Sequence, residues 1–253
     1  MKTMEYINAI DAFFKANARE NNAAAAKVPG KVFAEMAEKT ALETFHTAAK
    51  TVPAYKDFLK KNKVDPEKIK TIEDFKTLPL TGKNNYLSKY PLKDLLIGGN
   101  WRDRFATTSS SGSSGNPRYW PRFFAQDAGV LNGMDATYVE LFDIDKKPTL
   151  FVNSAGMGVW TAGDMVDLAD KFMAMKYGNH TSISPGIDMD NTLWSLGALA
   201  ADFEQVIICG YPPFLKDLVD QLPQEIAKKT DIKIIAFGEP FSESWRNYIA
   251  KKL

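Results

Sequence analysis

The chain has 253 residues, 45% of them hydrophobic, which is enough to bury a sizeable core in one large or two small domains. Its 32 basic residues nearly balance 31 acidic ones, so the formal net charge of +1 excludes a global field that attracts nucleic acid, anionic lipid or acidic substrates. A single cysteine, Cys209, excludes an internal disulfide framework and a multi-thiolate metal site. No apolar stretch approaches the length of a membrane span, and Glu5 and Asp11 interrupt the apolar pattern of the first residues, so we expect a cytoplasmic protein.

Residues 1–95 are predicted to form a helical N-terminal region followed by a proline-rich stretch. Helical spacing of apolar residues predicts two amphipathic helices in the first part, one with Ile7, Ile10, Phe13 and Phe14 and one with Val32, Phe33, Met36, Ala37 and Ala41. The run Ala23–Ala26 and the pair Pro29-Gly30 indicate the turn between these helices. Prolines then break the pattern from Val52 to Pro91, and the lysines between them indicate a solvated face rather than a binding site.

Residues 96–253 are predicted to alternate between helix and strand. One long helix carries an apolar face of Val130, Leu131, Met134, Tyr138 and Leu141. Three short runs rich in β-branched residues, bounded by Gly or Pro, predict buried strands at 149–152, 205–209 and 232–237. Helical stretches separate them, so the sequence predicts an α/β fold in which a largely parallel sheet is flanked by helices.

Loops of small or turn-forming residues follow each predicted strand, at 153–158, 210–213 and 238–240. In parallel sheets, ligands bind at the carboxyl ends of the strands, so these loops are candidate ligand contacts. On composition alone, the simpler interpretation that Gly and Pro merely end the strands is preferred.

The segment from Thr107 to Arg118 concentrates hydroxyls and glycines as no other part of the chain does. Glycines bring backbone N–H groups close to a ligand and hydroxyls add donors, so the segment is suited to wrapping a polyphosphate, with Arg118 as a fixed charge. A flexible Gly/Ser linker remains an equal alternative on composition. The aromatic flanks favour a loop held against a packed body: Trp101, Phe105, Tyr119, Trp120, Phe123 and Phe124. A Walker-type loop is excluded, since its Gly-x-x-x-x-Gly-Lys pattern is absent.

Several stretches, in order, resemble the adenylate-forming enzymes. The nine residues Ser110 to Arg118, SSGSSGNPR, resemble the S-S-G-T-T-G-x-P-(K/R/T) phosphate loop of that family. Upstream, Pro53-Ala54-Tyr55, Leu78 to Lys83 and Tyr90-Pro91 are similar to the family's approach to this loop. Downstream, Gly210 to Leu215, and Gly238 to Ser242 followed by Trp245-Arg246, resemble the phenylacetate-CoA ligase branch.

The resemblance implies an ATP-dependent carboxylic acid:CoA ligase, which forms an acyl-adenylate and then a thioester. Residues 96–253 are then the nucleotide- and acyl-binding part of an adenylation domain that we expect to be continuous with residues 1–95. The implied phosphate ligands are Ser110, Ser111, Gly112, Ser113, Ser114 and Gly115, with Arg118 as an auxiliary cation. Gly238, Glu239 and Pro240 are expected beside the adenine, and Asn153, Ser154, Ala155 and Gly156 near the acyl pocket. The implied ligands are ATP, Mg²⁺, a small carboxylic acid and coenzyme A or another thiol acceptor, with no nucleic acid or membrane partner.

The sequence departs from the family after Gly238-Glu239-Pro240. The family continues to an acidic residue that helps to hold Mg²⁺, a ribose-binding Asp and a C-terminal domain with a catalytic Lys, whereas this sequence stops at Leu253. We therefore assign no catalytic residue and expect little activity from the chain alone. One half of a split ligase completed by a second chain, a catalytically silent nucleotide or acyl-CoA binding module, and a scaffold with a flexible connector remain alternatives. An uncovered face at 232–253 is expected to promote self-association into a homo-oligomer.

The other chemically active residue types receive structural interpretations. His46 and His180 lack partners at ligand spacing and are expected on the surface or in loops. The carboxylates Asp143, Asp145, Asp188 and Asp190 are expected at helix ends or turns, as caps rather than acid/base pairs. Cys209 is expected to be a small buried residue rather than a nucleophile.

Overall fold

The structure is a computed structural model that describes residues 3–110 and 117–253. Its α-helices, in chain order, are α1 (Thr3–Lys15), α2 (Ala18–Ala25), α3 (Gly30–Thr51), α4 (Pro53–Lys61), α5 (Ile72–Lys76), α6 (Phe124–Phe142), α7 (Thr161–Tyr177), α8 (Met189–Leu199), α9 (Pro212–Gln221), α10 (Gln224–Lys229) and α11 (Glu243–Lys252). The strands are β1 (Ala106–Ser109), β2 (Tyr119–Arg122), β3 (Thr149–Ser154), β4 (His180–Ile183), β5 (Gln205–Gly210) and β6 (Asp231–Ala236). Two compact units result: an α/β unit of Met1–Asn22 with Thr107–Leu253, and a helical unit of Ala23–Ala106.

The α/β unit is built on a four-stranded parallel sheet with the order β4-β3-β5-β6. Ser154 at the end of β3 pairs in register with Gly210 of β5, and Gly210 pairs with Ala236 of β6. The three predicted strands are therefore confirmed, together with the α/β fold class. The sequence interpretation missed β4, whose His-Thr-Ser-Ile sequence is short and polar.

Helices cover both faces of this sheet, which places its core in two apolar layers. On one face, α1, α6 and α7 pack against the sheet through Phe13, Leu131, Tyr138, Val139, Ala169 and Met173, which meet Phe151, Ile207 and Cys209. On the other face, α8, α9, α10 and α11 contribute Leu196, Leu215, Leu218, Ala227 and Ile249, which meet Leu150, Val152, Val206 and Ile208. Alternate residues of β3 and β5 thus face opposite layers, as expected for central strands that are buried on both faces.

The helical unit packs α3, α4 and α5 around Phe45, Leu59 and Ile69. Pro53 occupies the first turn of α4, where no backbone N–H is required. Thr71 and Asp74 form a reciprocal capping box at the start of α5. Among the described residues, short 3-10 helices at Pro66–Lys68, Leu92–Leu95 and Ile97–Gly99 and a π-helical turn at Lys83–Leu87 complete this unit.

Several local predictions are wrong. The expected turn at Ala23–Ala26 begins inside a helix, because α2 extends to Ala25. On the predicted apolar face of α6, Val130 and Leu141 are exposed, since the face that packs is rotated toward Leu131, Tyr138 and Val139. Most of the aromatic flanks of the Ser/Gly segment are also more exposed than expected: Trp101, Phe105, Tyr119 and Trp120 are exposed, whereas Phe124 is buried.

None of the described helices is both long enough and apolar enough to cross a bilayer.

Candidate functional site

The candidate site lies at the carboxyl edge of the parallel sheet. Because Ser154, Gly210 and Ala236 are level in the register, the loops that follow β3, β5 and β6 leave the sheet side by side. A hydrogen bond from Phe237 N to Gly210 O, 3.1 Å long, joins the start of the loop after β6 to the end of β5. A second bond, from Gly186 N to Asn153 O at 3.1 Å, joins the loop after β4 to β3. The four strand ends therefore form one continuous edge.

The ends of the Ser/Gly segment are held together by two hydrogen bonds. Ser110 N donates to Arg118 O at 3.0 Å, and Arg118 N donates to Ser110 Oγ at 3.2 Å. The predicted phosphate ligands from Ser111 to Gly115 lie outside the described residues, so their assignment stays a prediction. The structure does place the root of the segment, by which we mean Ser109 and Ser110 on one side and Arg118 on the other. Ser110 and Arg118 are hydrogen-bonded to each other between β1 and β2.

This root is attached to the start of α7, directly beyond the carboxyl end of β3. Ser109 N donates to Val159 O at 2.6 Å, and Ser109 pairs with Trp160 as a parallel bridge. Thr161 Oγ1 donates to Thr108 Oγ1 at 2.8 Å and lies 3.2 Å from Ser109 O. Among the side chains that the structure describes, none caps the amino end of this 17-residue helix. A helix start with uncapped N–H groups favours anions, and here it adjoins the root of the Ser/Gly segment.

Asn153 joins three elements beneath this edge and is fully buried. Its Nδ2 donates to Gly163 O of α7 at 3.1 Å, and its Oδ1 accepts from Ala155 N at 3.1 Å and from Cys209 Sγ at 3.3 Å. Of the residues predicted near an acyl pocket, Asn153, Ser154 and Ala155 are buried and Gly156 is half-buried. Within this set, only Gly156 presents appreciable surface to a ligand.

Ser154 is also tied into the scaffold. Thr192 Oγ1 donates to Asp188 O at 2.6 Å, so its single proton is used and Ser154 Oγ must be the donor in the 3.3 Å contact between the two hydroxyls. Asp188 caps α8 by accepting from Asn191 N, as predicted for this carboxylate. Ser154 thus fixes α8 to β3.

The loop after β3 is tightly packed against α7. A Cβ on Gly163 would lie 2.0 Å from Gly156 O, so the helix approaches the loop at a distance that only glycine permits. A Cβ on Gly156 would lie 2.9 Å from Trp160 Cδ1 and 3.6 Å from Ile187 Cδ1. Trp160 and Ile187 remain partly exposed and form an apolar surface beside Gly156.

Gly238, Glu239 and Pro240, predicted beside the adenine, are all exposed after β6. Gly238 has a positive φ of 85°, and a Cβ built there meets nothing within 4 Å. The segment therefore borders open space at the carboxyl edge, which leaves room for a flat ring.

The buried titratable groups that pack against the sheet are not suited to catalysis. Burial lowers the pKa of His180 to about 4 and raises the pKa of Asp170, whose Oδ1 lies 3.2 Å from His180 Nε2. The prediction that His180 lies on the surface is wrong, because β4 places it in the core, whereas His46 is exposed on α3 as expected. Burial also raises the pKa of Cys209, so this thiol stays protonated. Within the described ranges, no three Asp, Glu, His or Cys side chains converge as a metal site.

The structure thus joins the root of the predicted phosphate loop to the loop after β3, and joins the loop after β6 to the end of β5. Sequence reasoning missed Trp160, Thr161 and Gly163, which make the first connection. A glycine in the first turn of a predicted helix was the one available signal, since Gly is unfavourable there without a packing reason.

Comparison with known proteins was made by sequence and by structure. No protein-family model and no curated protein matches the sequence. Two crystal structures of a 2-hydroxyisobutyryl-CoA ligase in complex with 2-HIB-AMP and CoA share the fold. The structure in the thioesterification state has a TM-score of 0.66 at 16% identity over 87% of this chain. The open conformation has a TM-score of 0.65 at 15% identity over 85% of this chain.

In both comparisons the chain spans 47% of the ligase, or about half its length. The resemblance to adenylate-forming enzymes is therefore confirmed at the level of the fold: the chain folds like about half of such a ligase.

Proposed function

We propose, from a fold shared with about half of an adenylate-forming CoA ligase, that this chain is the nucleotide- and acyl-binding part of an ATP-dependent carboxylic acid:CoA ligase. In that reaction the carboxylate attacks the α-phosphorus of ATP and expels pyrophosphate, and a thiol then displaces AMP from the acyl-adenylate. The observation that carries the proposal is the attachment of Ser109 to Val159 and Trp160, which holds the Ser/Gly root at the carboxyl edge of the sheet.

The chain's contribution in this proposal is binding and orientation. Hydroxyls and backbone N–H groups of the Ser/Gly segment would hold the phosphates of ATP, aided by the uncapped start of α7. The exposed Gly238-Glu239-Pro240 segment would border the adenine, and Gly156 with Trp160 and Ile187 the acyl group. The carboxylate substrate is itself the nucleophile, so no general base is required.

Mg²⁺ and coenzyme A enter the proposal only through the family. The described residues supply no cluster of three metal ligands, so we assign no step to Mg²⁺ on this chain. That observation favours a second candidate function, a module that binds a nucleotide or acyl-CoA without catalysis, or one half of a ligase completed by another chain.

Calorimetric titration with MgATP and then with AMP tests the proposal. We expect saturable binding that weakens at least about tenfold in Ser113→Ala/Ser114→Ala, because hydrogen bonds to a charged group contribute about 1.5–3 kcal/mol each. Thr137→Ala is the matched control, since it removes an exposed hydroxyl from α6, and should bind like the parent. No binding of either nucleotide would contradict the proposal. Binding without ATP–pyrophosphate exchange, in the presence of aryl and alkyl acids, would identify the non-catalytic module.

A further inference from the structure

A groove of about 740 Å³ lies within the helical unit, in Ala23–Ala106, and has no role in the proposed ligase site. Its lining residues are Met36, Ala37, Thr40, Ala41, Thr44, Phe45, Ala48, Val52, Tyr55, Phe75, Thr81, Tyr86 and Leu95. This volume falls within the range of about 300–1,000 Å³ typical of small-molecule sites.

The two walls of the groove differ in character. One wall is the face of α3 that carries small side chains at helical spacing: Ala37, Thr40, Ala41, Thr44 and Ala48. The other wall is aromatic: it has Tyr55 of α4, Phe75 of α5 and Tyr86, with the rings of Tyr55 and Tyr86 6.1 Å apart. The buried ring of Phe45, from α3 itself, lies 6.1 Å from Tyr55 and 6.0 Å from Phe75. A flat side of α3 opposite aromatic rings suits a planar apolar body.

Hydroxyl groups in the lining lack partners. In the part of the chain that the structure describes, no hydrogen bond involves the side-chain hydroxyls of Thr40, Thr44, Tyr55, Thr81 or Tyr86. Burial raises the pKa of Tyr55 and raises that of Tyr86 to about 12, so both phenols remain protonated donors at neutral pH. Half-buried phenols with no partner offer a ligand hydrogen bonds that the protein itself does not use.

No lining residue of this groove carries a charge. The neighbouring charges on α3 are arranged as pairs within the helix, with Lys31 3.7 Å from Glu35 and Lys39 3.9 Å from Glu43. A carboxylate or phosphate in the groove would therefore lose hydration without gaining a counter-charge. The groove selects against anions, in contrast to a site for ATP and a carboxylic acid.

We propose that this groove binds an uncharged small molecule with a planar apolar body and one hydrogen-bonding group, of the class of aromatic alcohols and amides. The apolar body would lie between the small side chains of α3 and the rings of Tyr55 and Phe75. The polar group would meet the phenol of Tyr55 or Tyr86. The proposal concerns residues of the helical unit alone and does not depend on the proposed ligase activity.

Calorimetric titration of the full chain at neutral pH with 2-naphthol, and with 2-naphthoate as a charged ligand of the same ring system, tests the proposal. We expect saturable binding of 2-naphthol, and binding of 2-naphthoate at least about tenfold weaker, since the groove provides no cation. Equal binding of the two ligands, or no saturable binding of 2-naphthol, would overturn the proposal.

Two sets of variants locate the site. Thr44→Trp fills the groove from its exposed α3 wall and should abolish binding, whereas Thr47→Trp, exposed on the same helix outside the lining, should not. Tyr55→Phe/Tyr86→Phe keeps the rings and removes both hydroxyls; we expect about five- to tenfold weaker binding, as for the loss of one neutral hydrogen bond. Tyr90→Phe, whose hydroxyl already bonds Asp57, is its control.

These variants also distinguish a small molecule in the groove from a second copy of the chain that covers it. Val32, Phe33 and Met36 are exposed on α3 beside the groove. Light scattering that shows a concentration-dependent dimer, lost in Thr44→Trp and unaffected by 2-naphthol, would overturn the proposal and identify the groove as an interface between copies. Unchanged naphthol binding in both Thr44→Trp and the double Phe variant would also overturn it. If Thr44→Trp fails to fold, as judged by circular dichroism, the double Phe variant alone decides the outcome.

Discussion

Asn153 illustrates how a residue type that suits ligand binding can serve the scaffold instead. The polar residues after β3 were predicted to lie near an acyl pocket, an assignment that the structure leaves as a prediction. Asn153 itself is fully buried, with its amide between Gly163 O, Ala155 N and Cys209 Sγ. Its contribution to a site would therefore be indirect, through the positions of the loop after β3 and of α7.

His180 shows the same contrast between residue type and environment. Its ring and the carboxyl of Asp170 are both buried and 3.2 Å apart, with Tyr138 on α6 and Cys209 on β5 as the titratable neighbours and Asp167 as a further carboxylate on α7. Burial lowers the pKa of His180 to about 4, below its ordinary value of 6.5. In the unfolded chain His180 is therefore protonated near pH 6.5, whereas in the folded protein it is protonated only near pH 4.

Acidification should therefore destabilise the protein through His180. The stabilising contribution of the neutral imidazole is complete above pH 6.5 and is lost as pH falls toward 4, which amounts to about 2 kcal/mol between pH 7 and pH 5. Asp170, with its raised pKa, acts in the opposite direction and is present in every variant compared. Urea unfolding at pH 7 and pH 5 should show that the free energy of unfolding falls less between the two pH values in His180→Asn than in the parent.

His46→Asn is the matched control, because His46 is exposed on α3. It should retain the acid sensitivity of the parent chain. Identical pH dependence of the parent and His180→Asn would show that burial does not shift the pKa of His180 from its value in the unfolded chain.

At the level of single elements, the start of α7 organises the candidate site. It contacts the loop after β3 through Gly163 and the root of the Ser/Gly segment through Thr161. These contacts require the backbone of α7 at Gly163 to approach Gly156 so closely that no side chain fits at position 163.

Substitution of Gly163 should reveal this constraint. In an unconstrained helix Gly→Ala stabilises by about 1 kcal/mol; at Gly163 the new Cβ would lie 2.0 Å from Gly156 O, so we expect a loss of about 1–3 kcal/mol in the free energy of unfolding. Gly129→Ala, in an exposed turn of α6 with nothing within 4 Å, should stabilise the protein. Chemical denaturation measures the change in the free energy of unfolding in each variant. If both substitutions stabilise the protein, Gly163 is not in close contact with Gly156.

The elements that could be predicted from the sequence are those whose signal is local. β3, β5 and β6 are runs of β-branched residues, and α9 has an apolar residue on every turn of its buried face. β4 lacked such a signal, since its Thr and Ser are compatible with a loop, and its burial depends on α7 packing over His180. The Ser/Gly motif was visible in the sequence, but its attachment to Trp160 and Thr161 connects residues about 50 positions apart, beyond any local pattern.

For the whole molecule, the main finding is that the first residues belong to the α/β unit. The predicted division at residue 95 stays a prediction, whereas the compact units change at Asn22 and Thr107. Arg19 holds the first segment in place: Nη2 contacts Asp143 at 2.7 Å, and Nη2 and Nε bind both carboxylate oxygens of Asp145 at 2.6 and 3.0 Å. Asp143 and Asp145, the two carboxylates predicted as caps, thus both accept hydrogen bonds from the Arg19 guanidinium.

Self-association through residues 232–253 also stays a prediction at this scale. Among the described strands, β6 pairs with β5 alone, so its outer edge has no strand neighbour.

Removing Arg19 should loosen the first segment without unfolding the sheet. In Arg19→Gln we expect faster amide hydrogen exchange across α1, because the bidentate pairing to Asp145 is lost, and unchanged exchange in β3 and β5. Arg246→Gln breaks an exposed pair with Glu243 within α11 and should leave α1 unaffected. Equal exchange of α1 in the parent and in Arg19→Gln would show that apolar packing alone holds this helix.

The separation of Arg19 from its partner has a consequence for synthesis on the ribosome. Arg19 and Asp145 are 126 residues apart in the chain. At about 5–20 residues per second, α1 leaves the ribosome roughly 6–25 s before its binding surface on α6 exists. Throughout that time Phe13, fully buried in the finished fold, is exposed to solvent on a short helix whose packing partners are not yet synthesised. We therefore expect that a pause in translation before residue 124 would lengthen the time for which this apolar helix is open to aggregation.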